Sequence, residues 1–232
     1  EGINPPYKNN AQYHIQYMHD FFKYISSEEH KSPLDFFSWH TYSWIKRSLD
    51  AADYVRDVMN KYGFEDVEDY LTEWNSDFYV NDEKYNPRAA SRALSMMLGM
   101  QKKTPSLMCY YDARIGSSQY GGLFDGAYRK PTRVYFAFMM FNQAYKLENE
   151  VETSSDNENV FVCGATKNDK SVLLISNMGE ETLEVDLDFT GADLKDAEVL
   201  MINDVYTYSP TGIDVSNGKL TLPKETCVEI RL

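Results

Sequence analysis

Cysteine is scarce and odd in number. Cys109, Cys163 and Cys227 are the only three, each set in an apolar run. Buried free thiols are therefore expected, rather than a disulfide framework or a metal site. Positive charge is also short, with 23 Lys and Arg against 36 Asp and Glu and a net charge of −13. That balance argues against nucleic acid or an anionic membrane as a partner, since both select basic proteins. No apolar run approaches the ~20 residues that span a bilayer. Nothing near the start has the layout of a signal peptide. No Gly-rich phosphate loop follows any strand-like run, which counts against a nucleotide-binding sheet. There is no initiator Met, and Glu1 to Asn10 reads as a loop already inside a fold. The chain is accordingly expected to be the C-terminal part of a longer protein.

What is present is a globular composition, 43% apolar and 25% charged over 232 residues. That suits one large domain or two modest ones. The composition breaks near residue 149. Residues 1–148 carry a net charge of −2 and 29 of the 33 aromatics, whereas residues 149–232 carry −11 and the other four. Such a shift marks a domain boundary.

The first part alternates helices and strands. Asn10 is placed to cap a helix with the stripe Ile15, Met18, Phe22 and Ile25, at spacings of three and four. After Ser32-Pro33, the short aromatic run from Leu34 to His40 favours a strand. A helix follows from about Asp50, with Val55, Val58 and Met59 inward and Gly63 as its stop. Asp69 to Asn75 reads as a strand. Asn86-Pro87 starts a helix whose Ala89, Ala90, Ala93 and Leu94 form a face small enough to lie close on a sheet. Pro105 to Tyr111 reads as a third, buried strand, and Pro131 opens a last helix running to about Leu147. Alternation at this spacing implies parallel strands with right-handed crossovers. From about Asn149 the pattern becomes short strands every 8–12 residues with turn signals between them, as in an antiparallel sandwich. Strand aromatics are nearly absent there, which favours a structural sandwich over a sugar-binding module.

Residues able to do chemistry gather where the strands of the first part end: His40 and Tyr42, then Glu73 and Asn75, then Tyr110, Tyr111 and Asp112. Barrel enzymes build their sites on that rim. Glu73 is the focus, because an unpaired buried carboxylate costs several kcal/mol and is rarely kept without use. Residue types alone leave a solvated strand end equally open. Trp74, adjacent on a strand, faces away from Glu73 and is assigned to packing. His14, His19 and His30 are read as surface residues.

Leu71-Thr72-Glu73-Trp74-Asn75 resembles the seventh-strand nucleophile motif of glycoside hydrolase family 39, the β-xylosidase and α-L-iduronidase group. Pro33 to Tyr42, with Asp35-Phe36-Phe37-Ser38 followed by His40 and Tyr42, resembles the same family's sixth strand. Tyr120 to Phe124 with Arg129-Lys130-Pro131 resembles the segment that closes its barrel, and the trailing sandwich resembles its accessory domain. The resemblance implies a partial (β/α)8 barrel over 1–148, holding strands six to eight, and a C-terminal β-sandwich over 149–232. It implies Glu73 as nucleophile and Tyr42 as donor of a hydrogen bond to it. It implies His40 as a sugar contact in the cleaved subsite; beside it, from their place at the strand ends, Tyr110 and Tyr111 are read as rings able to stack on a sugar, and Asn75 and Asp112 as polar substrate contacts. A retaining glycosidase needs a second carboxylate ~5–5.5 Å away to protonate the leaving oxygen. In this family that residue lies in an Asn-Glu pair ending the fourth strand, and no matching strand end occurs here. The resemblance therefore implies a fragment that supplies the nucleophile to a xylan-like substrate and needs a missing N-terminal barrel half, or another chain, along its sheet edges. The isolated chain is expected to be inactive.

Two other readings stay open. One is a non-catalytic carbohydrate-binding or scaffolding protein that has kept the rim. The other is a barrel hosting a different reaction. Neither a Lys at a strand end nor a His/Asp/Glu cluster occurs on the three strands, so no cofactor and no metal are expected.

Overall fold

The computed structural model describes residues 10–75, 87–115, 120 and 122–232. By contact the chain forms two compact units. One comprises Glu1–Asn75 with Met100–Tyr111, the other Ser76–Gly99 with Asp112–Leu232.

The first unit runs α1 (Asn10–Ile25), β1 (Phe36–Thr41), α2 (Ile45–Lys61), β2 (Glu68–Trp74) and β3 (Leu107–Tyr110). The strands form one sheet in the order β1-β2-β3, parallel throughout. One face of the sheet is packed. Phe22 and Ile25 of α1 and Val55, Val58 and Met59 of α2 form a core against Phe37 and Trp39 of β1. Each such side chain contributes roughly 1.5–3 kcal/mol on burial.

A buried ion pair fastens this layer. Asp69 of β2 is fully buried; its Oδ1 accepts from Arg56 Nη2 of α2, and its Oδ2 accepts from Trp39 Nε1 of β1 at 3.1 Å. Arg56 Nη1 also donates to the Val67 carbonyl at 2.9 Å. One carboxylate thus holds a helix and two strands in register.

The opposite face is open. Phe36, Ser38, Leu107 and Cys109 are exposed, and the Phe36 ring stacks on Tyr70 at 4.8 Å. This corrects the expectation that the third strand is buried and Cys109 with it. The physical reason is that the cysteine side chain stands on the face away from the helices. Ile15 is likewise exposed, so the inward stripe of α1 is Met18, Phe22 and Ile25. The second helix starts five residues before Asp50, on Ile45, which is buried. His19 is half-buried and bonded to the Tyr54 and Tyr62 hydroxyls, while His30 stacks on Tyr24. The expected caps fall on the Asn10 side chain and on Asn86, both outside the described residues.

Among the described residues the second unit holds all of α3 (Pro87–Met100) but its last residue, α4 (Arg133–Leu147) and the strands β4 (Asn149–Val151), β5 (Val160–Lys167), β6 (Lys170–Asn177), β7 (Leu183–Asp186), β8 (Glu198–Ile202), β9 (Thr207–Pro210), β10 (Lys219–Leu222) and β11 (Thr226–Arg231). Six strands form an antiparallel sheet, β4-β5-β6-β11-β8-β9, and β10 pairs with β7. Ile175, Val199, Met201, Val228 and Ile230 from the large sheet meet Leu220 and Leu222 of the small one in a shared core. The small-residue helix α3 docks on β6, with Ser95 Oγ donating to Ser176 Oγ and Ser176 Oγ donating to the Ser91 carbonyl. The strands β4 and β9 were not foreseen. β4 is exposed at all three residues, and β9 ends in proline, so neither has an apolar alternation to reveal it. Pairing of β4 depends on Gly164 of β5, where a Cβ would stand 2.6 Å from Val151 Cγ2.

Glu229 of β11 is fully buried, its carboxylate accepting from Tyr208 Oη at 2.8 Å and from Arg231 Nε. Tyr208 holds this position at a φ of 55°, a left-handed backbone that costs a bulky residue about 1–2 kcal/mol. Burial, then the nearby Glu229 carboxylate, pushes the Tyr208 hydroxyl up to about 12. Burial also pushes the Glu229 carboxyl above its ordinary range, against the opposing pull of Arg231 and Tyr208. The folded chain then holds that proton more tightly than the unfolded chain. Stability from this group is complete below the unfolded carboxylate range and is lost as pH rises through the folded value. Relative to Glu229→Gln, which does not titrate, the parent protein should lose ground on going from about pH 4 to about pH 7. Hydrogen exchange of the β11 amides at both pH values reads this locally.

Candidate active site

The β1–β2 register places the candidate residues. Trp39 pairs with Leu71, but the next pair is His40 with Glu73, so β2 carries one extra residue at Thr72. The β2–β3 pairing shows the same slip, from Leu71↔Met108 to Trp74↔Tyr110. An extra residue in one strand rotates everything beyond it by half a period. In a regular strand Glu73 would share the helix-covered face with Asp69 and Leu71. The bulge turns it to the open face with Phe36, Ser38 and His40, and turns Trp74 inward beside Leu71. Trp74 is fully buried, edge-on to Tyr110 at 4.9 Å.

Glu73 is met by two side chains from the end of β1. Tyr42 Oη donates to Glu73 Oε2 at 2.6 Å, and His40 Nδ1 lies 3.5 Å from the same oxygen. The Glu73 and His40 side chains are 37% and 42% exposed, so the carboxylate is open to an incoming molecule while being held by a neutral donor. A hydroxyl donor at this distance is short for a hydrogen bond to a carboxylate and fixes its rotamer. Such a group can act as a nucleophile or as an electrostatic partner to a developing cation.

The other candidates divide. Tyr111 stands with the site, its ring edge-on to Tyr42 at 6.1 Å and 75°. Tyr110 does not: it packs on Trp74, on the covered face. Asn75 is only 2% exposed, and its Nδ2 donates to the Tyr111 carbonyl at 2.8 Å, so it lies beneath the rim. Asp112 belongs to the second unit, where Arg114 Nε pairs with its Oδ2 at 2.8 Å and its carbonyl accepts from Leu123 N. Trp44 is a rim residue that the sequence reading passed over. It is 68% exposed in the turn after Tyr42, immediately before α2, and offers an aromatic face to solvent. Its signal was its place, two residues beyond Tyr42.

Among the described residues no group of three or more His, Cys, Asp or Glu is arranged to hold a metal ion. No helix among them is long and apolar enough to cross a membrane.

No protein-family model and no curated protein matches the chain. Solved structures do. A glucosidase from Croceicoccus marinus superposes with a TM-score of 0.70 at 14% identity, over 93% of this chain and 57% of that one. A GH39 β-xylosidase from Caulobacter crescentus gives a TM-score of 0.63 at 15% identity, over 92% and 54%. An α-L-arabinofuranosidase from Thermotoga maritima gives 0.61 at 15%, over 86% and 52%. The chain therefore spans little more than half the length of these structures. At such identities the likeness shows the fold: a mixed helix-and-sheet chain whose sheets resemble those of the C-terminal part of glycoside hydrolases.

Proposed function

We propose that the chain is the C-terminal portion of a retaining glycoside hydrolase, β-xylosidase-like and of family 39. Residues 1–148 supply strands six to eight of a (β/α)8 barrel, and residues 149–232 supply its accessory β-sandwich. One observation carries the reading: the Glu73 carboxylate, held by Tyr42 and flanked by His40, on the open face at the C-terminal ends of parallel strands. Helices cover only the other face, which is the arrangement of a barrel wall seen from its inside. Among the described residues the parallel strands β1 and β3 are the outer strands of their sheet, which also supports a sheet that continues in a longer protein.

In this reading Glu73 Oε1, the oxygen not engaged by Tyr42, attacks the anomeric carbon. The bond to the leaving oxygen breaks, and that oxygen takes a proton from a second carboxyl group on the barrel half not contained in this chain. A covalent glycosyl ester forms on Glu73. Water, deprotonated by the same second group, then cleaves it with net retention. His40 contacts the sugar in the cleaved subsite, and Tyr42 regains its full hydrogen bond to the Glu73 carboxylate as the ester breaks. The substrate class is an oligo- or polysaccharide of the xylan type.

The test uses aryl β-xylosides. The 232-residue chain alone should give no turnover above the uncatalysed rate, since in this reading the upstream barrel half that carries the second carboxylate and the rest of the sugar site is absent from it. The longer protein, with its upstream strands, should turn over. Turnover by the isolated chain that disappears in Glu73→Gln would show that no essential half is missing. Binding of xylo-oligosaccharides by the longer protein without turnover would point instead to a non-catalytic carbohydrate-binding or scaffolding role.

A further inference from the structure

Glu73, Tyr42 and Tyr111 come from the ends of three strands, and strand ends fray unless something ties them. Asn75 is placed to do so. Its backbone N–H donates to the Thr41 carbonyl at 3.3 Å, joining the end of β2 to the end of β1. Its side-chain Nδ2 donates to the Tyr111 carbonyl at 2.8 Å, joining β2 to the segment just past β3. Tyr111 N–H returns a bond to the Trp74 carbonyl at 2.9 Å. Tyr111 is thus clamped from both of its main-chain polar groups, by Trp74 at the end of β2 and by Asn75 just beyond it.

The clamp has a side-chain consequence. The Tyr111 ring, fixed through its backbone, stands edge-on against the Tyr42 ring, and Tyr42 Oη donates to Glu73 Oε2. The loop of contacts closes: Glu73, two residues before Asn75, is held by a tyrosine whose ring is held by the residue that Asn75 holds. A buried amide at 2% exposure cannot reach a sugar on the open face, whereas its bond to the Tyr111 carbonyl leads through the Tyr111 and Tyr42 rings to Glu73. Edge-to-face ring pairs carry a definite orientation as well as area.

We propose that Asn75 is a positioning residue of the Glu73 site, setting the Tyr42–Glu73 hydrogen bond through Tyr111. The proposal rests on the reading of Glu73 as the working carboxylate, but its test does not involve a sugar. The hydroxyl proton of a 2.6 Å phenol–carboxylate bond is strongly deshielded, and Tyr42→Phe identifies it in proton NMR spectra of the 232-residue chain recorded near 0 °C, where exchange with water is slowed. Asn75→Ala should abolish that resonance, and so should Asn75→Asp, which keeps the shape but loses the donor and faces a carbonyl. Tyr111→Leu, which keeps every main-chain bond, should abolish it too and serves if the Asn75 variants fail to fold. Met59→Ala, a core truncation under the helices, should leave it in place although it destabilises the same unit.

Persistence of the resonance in either Asn75 variant overturns the proposal. So does its loss in Met59→Ala, which would make it a general marker of loosening, or its absence from the parent chain. Failure here leaves the assignment of Glu73 as nucleophile standing, because that assignment is decided by covalent trapping.

Discussion

If Glu73 is the nucleophile proposed above, Glu73→Gln in the longer protein is expected to lower kcat/KM for aryl xylosides by on the order of 10⁴-fold or more. The amide fills the same volume and still accepts from Tyr42 through its oxygen, so the site should stay folded. What it lacks is a charge and a nucleophilic oxygen, which no neighbour supplies: the facing groups are a phenol and an imidazole, 2.6 and 3.5 Å away. In the proposed mechanism the change also removes the two-step route itself, which is why the expected loss exceeds that of a single hydrogen bond. Tyr42→Phe sets the scale for that smaller effect. It deletes one preorganised donor, and such deletions cost about 10²–10³-fold. Measured side by side, the two variants separate attack from positioning. Equal losses would mean that Glu73 acts only through Tyr42.

Asp69→Ala is expected to destabilise the first unit by about 3–5 kcal/mol. The carboxylate is fully buried between Arg56 Nη2 and Trp39 Nε1, and truncation strands a guanidinium that is largely buried itself together with an indole N–H. The cost is mainly that of the uncompensated partners. A concerted apolar replacement, Arg56→Met with Asp69→Leu, should therefore recover most of the loss. All three tryptophans, Trp39, Trp44 and Trp74, lie in the first unit, so tryptophan fluorescence during urea unfolding reports that unit without the sandwich. A loss below about 1 kcal/mol would mean that the pair is no better than an exposed one.

Much of the fold was legible because it obeys local periodicity. The helices at Met18, Phe22 and Ile25 and at Val55, Val58 and Met59 follow the 3.6-residue repeat, and the strands of the sandwich alternate or run apolar between turn residues. What escaped was non-local. The Arg56–Asp69–Trp39 network joins residues 13 and 30 positions apart, and no pattern in the chain announces it. The edge strands β4 and β9 form because neighbours offer them free backbone groups, not through any preference of their own. The openness of one sheet face could not be read from Phe36, Leu107 and Cys109, since apolar residues in a short run look buried whichever side is covered.

The site shows the same division. His40, Tyr42, Glu73 and Tyr111 were each visible as strand-end residues, and the structure brings these four together. Tyr110 and Asn75 were grouped with them by sequence proximity. Strand alternation sends Tyr110 to the covered face, and burial takes Asn75 beneath the rim. The bulge at Thr72 is the feature that the motif concealed. Counting alternate residues from Leu71 places Glu73 on the wrong face, and only the pairing with β1 and β3 reveals the extra residue.

The central claim is that Glu73 is the nucleophile of a retaining glycosidase, and covalent trapping tests it most directly. A 2-deoxy-2-fluoro-β-xylosyl donor with a dinitrophenolate leaving group needs no proton on departure, and its fluorine slows hydrolysis of the glycosyl ester. Incubated with the longer protein and followed by peptide mass mapping, it should add one fluoroxylosyl group, on the peptide containing Glu73 and on that residue. An adduct on any other carboxylate, or steady turnover of aryl xylosides with no adduct at all, would contradict the account.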